Sequence, residues 1–392
     1  MSNTFIPYQK ALTILEAHRG HFPVVSQPLE FCTGMILAED LRADRDFPPF
    51  DRVTMDGIAI AHATFAKGER SFPIQDIAAA GMPQMTLQDV KDCLEVMTGA
   101  IMPQHADTVI RYEDLHIENG IARVQSDAIK YGQNIHFKGM DIPKGTVIVK
   151  KGILLSSAEI NIAASIGKAR PKVLQPPKVV VVSTGNELVP VSQKPALHQI
   201  RRSNVHGIQN TLSEWGLQSD LEHLPDDKEH LIMAINQLLE QYDALIFTGG
   251  VSKGKFDYLP EVLDELGVTK HFHKVQQRPG KPFWFGSRGD HTKIFALPGN
   301  PVSSFVCVYI YFRYWLQKSL GLEVETLYVE LGKEVKFTPD LVYFLAAKLE
   351  STPDGKLLAH PVKGNGSGDF ANLVKTDGFI VLPQEKSVFK PG

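Results

Sequence analysis

Val179-Val180-Val181-Val182-Ser183-Thr184-Gly185-Asn186-Glu187 and Ala244-Leu245-Ile246-Phe247-Thr248-Gly249-Gly250 follow one plan: an apolar run of strand length, then a glycine turn. Uninterrupted aliphatic residues mark strands buried on both faces, as in a parallel sheet covered by helices. Turns at the carboxyl ends of such strands line the crevice where ligands bind in open α/β sheets. Glycine turns there point backbone N–H groups outward and make a seat for an anion. The first turn carries Glu187 and the second, which runs on through Ser252 to Asp257, carries Asp257. Carboxylates beside a phosphate seat suit a hard divalent cation such as Mg2+. A third turn, Leu297-Pro298-Gly299-Asn300-Pro301, follows another apolar run. Together these turns predict a site for a phosphate-bearing small molecule.

Outward from them the chain alternates. A helix is expected from about Ser203, with Ile208, Leu212 and Trp215 inward and Gly216 as its stop. Another spans about Lys228–Gln241, with Leu231, Ile235, Leu238 and Leu239 along one stripe. A helix around Leu259–Leu266, short strands at Pro282–Gly286 and Ile294–Leu297, and a core helix after Pro301 complete the unit. The fold class read from this alternation is multidomain α/β: a central three-layer α/β/α domain, residues 177–322, with a mostly parallel sheet. Residues 46–142, rich in Pro, Gly and Asp with short apolar runs, predict a β-rich insertion domain. The flanking pieces, 1–45 and 143–176, are expected to form one discontinuous domain, with a helix Tyr8–His18 and another capped by Ser156 or Ser157. Residues 323–392 return to short β-like runs and predict a small C-terminal β-barrel.

Composition narrows the function classes. A length of 392 residues implies several domains, and 43% hydrophobic with 22% charged residues is ordinary for a soluble globular protein. A formal charge of −3, with no long basic run, argues against nucleic-acid and membrane partners. Cys32, Cys93 and Cys307 lack paired spacing, which excludes a disulfide framework and predicts core or surface thiols, rather than nucleophiles, in a reducing compartment. No basic leader followed by an apolar stretch opens the chain, so the expected location is cytoplasmic. Three local motifs fail. Gly249 and Gly254-Lys255 approach a phosphate-loop signature, but Phe256 stands where a magnesium-binding hydroxyl is required. Gly364–Gly368 lies in a β-type block and reads as a turn rather than a dinucleotide fingerprint. His271 and His273 alternate as strand residues do, not at helical metal-ligand spacing.

The remaining motifs run in order along nearly the whole chain. Phe47-Pro48-Pro49-Phe50-Asp51-Arg52-Val53-Thr54-Met55-Asp56-Gly57, Met97-Thr98-Gly99-Ala100, Gly132-Gln133-Asn134-Ile135 and Gly139-Met140-Asp141-Ile142 precede the glycine turns. Arg278-Pro279-Gly280-Lys281-Pro282 and Leu297–Val302 follow them. Each is weak alone; as an ordered set they resemble the molybdopterin molybdenumtransferase family, which inserts molybdate in molybdenum cofactor biosynthesis.

The resemblance implies four domains and an elongated homodimer. It also implies the reaction: adenylylated molybdopterin and molybdate are the substrates, Mg2+ assists, and AMP leaves. Under it Glu187, Asp257, and Asp226 or Asp227 hold Mg2+ against the substrate's phosphates, although Asp226 and Asp227 are equally placed to cap the helix at Lys228. Thr184, Gly185, Gly249, Gly250 and Gly299 line the seat, and Pro298 and Pro301 set its shape. Ser183, Ser252 and Asn300 have two readings, as donors to the ligand or as turn residues bonded locally. Arg278 and Lys281 are placed to seat molybdate through charge-assisted bonds. Asp56, Thr98 and Asp141 complete the site from the other subunit.

The chain departs from the family at Arg278, where the family more often has lysine, and in two further places. Where the family has three basic residues and Gly-Glu-Asp, it reads His136-Phe137-Lys138-Gly139-Met140-Asp141. Val342–Ala346 lacks the family's arginines, leaving Ser367 as the contributor from the last domain. A molybdopterin adenylyltransferase and apo-molybdoenzymes are the expected partners. Two other activities stay open at this point: a non-catalytic molybdopterin-binding scaffold of the same fold, and adenylylation of molybdopterin by the central domain.

Overall fold

The computed structural model describes residues 5–251, 258–364 and 366–392. Its central unit is a six-stranded mixed sheet. The strands are β1 (Val179–Thr184), β2 (Ser219–Leu224), β3 (Ala244–Thr248), β4 (Thr269–His273), β5 (Trp284–Arg288) and β6 (Thr292–Leu297). Their order across the sheet is β2-β1-β3-β6-β5-β4.

The parallel arrangement expected from sequence holds for β2, β1, β3 and β6. β4 and β5 are antiparallel to their neighbours. The physical reason is the connection: β5 and β6 are joined by residues 289–291 alone, with Gly289 at φ 58°. A link that short reverses the chain but cannot carry it back for a parallel pairing.

The alternation of side chains along β1 decides how the sheet is covered. Val179 and Val181 pack with Val205, Ile208 and Leu212 of the helix Ser203–Glu214 and with Tyr311, Phe312 and Trp315 near the segment's end. Val180 and Val182 face the other way, onto Leu231, Ile235, Leu238 and Leu239 of the helix Lys228–Gln241 and onto Val262 and Leu263 of Leu259–Glu265. The first helix, Tyr8–Ala17, sends Ala11, Leu12 and Leu15 into the former core. Residues 301–319 are helical throughout, with a π-turn at Val308–Phe312.

Segments distant in sequence share a smaller core. Val24–Ser26 pairs antiparallel with Lys172–Leu174, and Leu41–Arg42 with Val147–Val149. Cys32, Leu37, Leu155, Ala163 and Val173 fill the space between. The helix Ser157–Ser165 starts at a capping box, in which Ser156 N donates to Glu159 Oε2 at 2.8 Å. The intervening residues fold around a second six-stranded sheet, which runs from Thr108–Arg111 through Gly57–Ile60, Cys93–Val96, Ser71–Ala78 and Ile121–Val124 to Leu115–Glu118. Of the two placements left open for the cysteines, core or surface, all three take the core.

The C-terminal residues form a sheet around the long strand Val342–Ser351, which pairs with Leu357–Pro361 and Gly378–Leu382. Its neighbour at one end is Gln277–Arg278, so the C-terminal sheet is hydrogen-bonded to the segment that precedes β5.

Candidate functional site

The glycine turns meet at one residue. β1 ends in Thr184, and the turn beyond it places Gly185 at φ 137° with the Glu187 carboxylate folded over it. A β-carbon on Gly185 would lie 2.6 Å from Glu187 Oε2. β3 ends in Thr248, followed by Gly249 at φ 107° and Gly250 at φ 71°. β-Carbons there would lie 3.2 Å and 3.0 Å from Thr184 Oγ1. That hydroxyl is buried and has no hydrogen-bond partner among the described residues. An orphaned buried hydroxyl between two glycine turns is an arrangement that a bound polar ligand completes.

The third turn closes the other side. Gly249 N donates to Leu297 O at 3.1 Å, at the end of β6. Asn204, in the first turn of the helix after β1, bridges the turns: its Nδ2 donates to Gly299 O at 2.8 Å and to Thr248 Oγ1 at 3.3 Å. Asn300 Nδ2 donates to Ser367 Oγ at 3.0 Å, and Val302 N to Ser367 O at 3.1 Å. The structure thus brings Pro298, Gly299, Asn300 and Ser367 to one place, although 67 residues separate the last two.

The acids divide. Asp226 exchanges hydrogen bonds with Asn186 in the first turn, Asn186 N to Asp226 Oδ2 at 3.3 Å and Asp226 N to Asn186 Oδ1 at 3.2 Å. Asp227 instead caps the helix, accepting from His230 N at 2.8 Å. Ser183 is 2% exposed and turns into the sheet edge, donating to Glu222 O at 3.3 Å beside His223 Nδ1 at 3.1 Å. Burial, with Arg202 nearby, holds the His223 imidazole below its usual range; the Ser183 bond and the charges of Asp226 and Glu187 oppose this. Ser252 and Asp257 lie outside the described residues. Among the described residues no three His, Cys, Asp or Glu side chains are grouped to hold a metal. Glu187 and Asp226 remain as oxygen donors beside the first turn, a chemistry that fits Mg2+.

Arg278 and Lys281 are both exposed at the Pro-Gly turn, with Arg278 on the strand that joins the C-terminal sheet. The turn is braced from beneath. Buried Gln277 donates to Pro279 O at 3.0 Å and accepts a hydrogen bond from Tyr311. Gly280 fits so closely that a β-carbon would lie 2.7 Å from Cys307 Sγ. The Lys281 ammonium sits 4.1 Å above the Phe5 ring.

A second group lies among residues 46–142, around the second six-stranded sheet. Asp56 Oδ1 accepts from Thr98 N at 2.6 Å and Thr98 Oγ1 at 2.7 Å. The backbone bond and then the hydroxyl bond hold this carboxyl below the usual carboxylate range. Asp141 Oδ1 lies 2.9 Å from His136 Nε2, and Arg52 is 3.1 Å from His136 Nδ1. Among the described residues no hydrogen bond or ion pair joins Asp56, Thr98 or Asp141 to the glycine turns.

Asn204, His223 and Arg202 were not singled out from sequence. Asn204 had a usable signal, an amide in the first turn of a helix that leaves a glycine turn. His223 had none, because its contact with Ser183 is made across parallel strands.

Comparison with known proteins gives a concordant result. Family models described as MoeA N-terminal region (domain I and II), probable molybdopterin binding domain, and MoeA C-terminal region (domain IV) match residues 6–167, 180–318 and 328–392. A Synechocystis protein named molybdopterin molybdenumtransferase is 43% identical over 387 residues, covering 97% of this chain and 96% of that one. One of the same name from Synechococcus elongatus is 30% identical, covering 99% and 98%. The solved molybdopterin biosynthesis MoeA protein of Pyrococcus horikosii superposes with a TM-score of 0.84 at 30% identity, covering 99% of this chain and 97% of that one.

Proposed function

The chain belongs to the molybdopterin molybdenumtransferase family, and from that premise we propose that it inserts molybdate into adenylylated molybdopterin with release of AMP. The observation that carries the reading is the seat at Thr184, where two glycine turns converge on a buried hydroxyl that lacks a partner. Backbone N–H groups and this hydroxyl bind phosphate oxygens of the substrate. Mg2+, held by Glu187 and Asp226 with Asp257 as a further ligand, offsets the repulsion between acids and phosphates. Asn204 fixes the spacing of the turns, and Asn300 with Ser367 closes the rim. The exposed cations Arg278 and Lys281 attract the tetrahedral oxyanion.

Asp56, Thr98 and Asp141 are assigned to the same site through a homodimer, one subunit's domain meeting the other's glycine turns. The reading supposes four domains: 1–45 with 143–176, 46–142, 177–322 as three layers, and 323–392 as a β-barrel. Separate cores within residues 46–142, and between residues 25–41 and 148–173, support part of this division, whereas the helix Tyr8–Ala17 packs into the core of the central sheet. We place the protein in the cytoplasm, where an adenylyltransferase supplies its substrate and apo-molybdoenzymes take its product. Among the described residues no helix is long and apolar enough to cross a membrane.

Binding tests the seat directly. Gly250→Val forces a branched side chain against Thr184 Oγ1 and Leu259 at a φ of 71°. Its affinity for molybdopterin is expected to fall at least about 10-fold, about 1.4 kcal/mol, in a fluorescence titration. Unchanged affinity in a folded variant would remove the glycine turns from the site.

A further inference from the structure

Arg52 and His136 are partners across two antiparallel strands, with His136 directly opposite Arg52. The guanidinium lies 3.1 Å from His136 Nδ1, and His136 Nε2 lies 2.9 Å from Asp141 Oδ1. A guanidinium can only donate, so Nδ1 accepts and the ring proton sits on Nε2, where it is donated to Asp141. The backbone is fixed as firmly as the ring. Asp141 N donates to Phe47 O at 3.0 Å, Met140 N to Phe137 O at 3.1 Å, and Lys138 N to Asp51 Oδ1 at 2.8 Å. Gly139 makes the turn at φ 73°.

We propose that Arg52, acting through His136, positions the Asp141 carboxylate for the insertion reaction. One carboxylate oxygen is held while the side chain stays 54% exposed and open to substrate. An imidazole that donates a single proton orients the acid without cancelling its charge. A cation in direct contact with Asp141 would cancel it. His136 therefore passes the fixed charge of Arg52 to Asp141 as orientation. Neither Arg52 nor His136 need touch substrate, which makes them positioning residues. The other charges in the loop are Lys138, Asp46 and Asp51, with Lys138 Nζ 3.7 Å from Asp46 Oδ2.

The inference rests on the reading of Asp141 as a group of the insertion site, so the experiment separates the two. Steady-state AMP release by the full chain is measured against pH for Asp141→Ala, His136→Phe, His136→Gln, Arg52→Met and the double variant Arg52→Met/His136→Phe. His136→Phe and Arg52→Met are expected to lower kcat about 10- to 100-fold, with KM for adenylylated molybdopterin within about two-fold. The double variant is expected to be no worse than either single one, because both remove one relay. Gln offers an acceptor to Arg52 and a donor to Asp141 and does not titrate. His136→Gln should keep most of kcat. An inactive Asp141→Ala beside a fully active His136→Phe overturns the positioning role. So does additive loss in the double variant, or a His136→Gln as poor as His136→Phe. A fully active Asp141→Ala overturns the reading beneath it.

Discussion

Gly57 has no room for a β-carbon: one built there would lie 1.9 Å from Ile110 O and 2.8 Å from Arg111 Cα. The neighbouring strand passes against it, and this close approach sets Asp56 beside Thr98. Gly57→Ala is expected to lose about 1–3 kcal/mol in denaturant unfolding, as overpacking does; parent-like stability would contradict the account. Asp56 carries a pH signature. Its native carboxyl lies below the value of about 3.9 that an unfolded chain shows, so the native state binds fewer protons there. The Asp56–Thr98 contact therefore stabilises fully above about pH 4 and is lost as pH falls through the lowered native value. The stability gap between parent and Asp56→Asn should close at that acid end, and a gap that persisted or grew would count against the assignment. Residues of this kind were legible as motifs because glycine and acid together imply a turn with a purpose. Asn204 and His223 were less so, since each earns its place through contacts with strands distant in sequence.

At the scale of elements, strands with continuous aliphatic runs were readable almost to the residue, as was the helix Lys228–Gln241 with its buried stripe. The antiparallel β4 and β5 were not, because a strand's direction depends on its connection rather than its composition. Docking of the first helix on this part of the sheet was equally hidden. His18, just past the helix, stacks on His271 of β4 at 3.6 Å between ring centroids, near buried Lys293. Burial, with His18 and Lys293 adding repulsion, pushes His271 down to about 4. An unfolded histidine titrates near 6.5, so the unfolded state binds the extra proton first. The contribution of a neutral buried His271 should be complete above about pH 6.5, fall between there and about pH 4, and level off below. His271 contributes up to about 2 kcal/mol of this fall once solvent screening is allowed for. Denaturant curves of His271→Phe should show a shallower acid limb; an identical limb would contradict the burial argument.

At the scale of the whole molecule, the joining of Ser367 to Asn300 emerged only from the fold. The functional groups fall into two sets, one at the glycine turns and one around Asp56, Thr98 and Asp141. If a dimer unites them, equal mixing of inactive Asp56→Ala and Glu187→Ala chains should restore about a quarter of parental activity, because half the dimers are mixed and each keeps one intact site. No recovery after subunit exchange would place both sets in one chain. The most direct test of the central claim is AMP release from adenylylated molybdopterin by the parent protein with Mg2+, with and without molybdate. The account predicts release that depends on molybdate and matches the molybdenum bound to the product mole for mole. Tight binding of the adenylylated substrate with no molybdate-dependent release would contradict it.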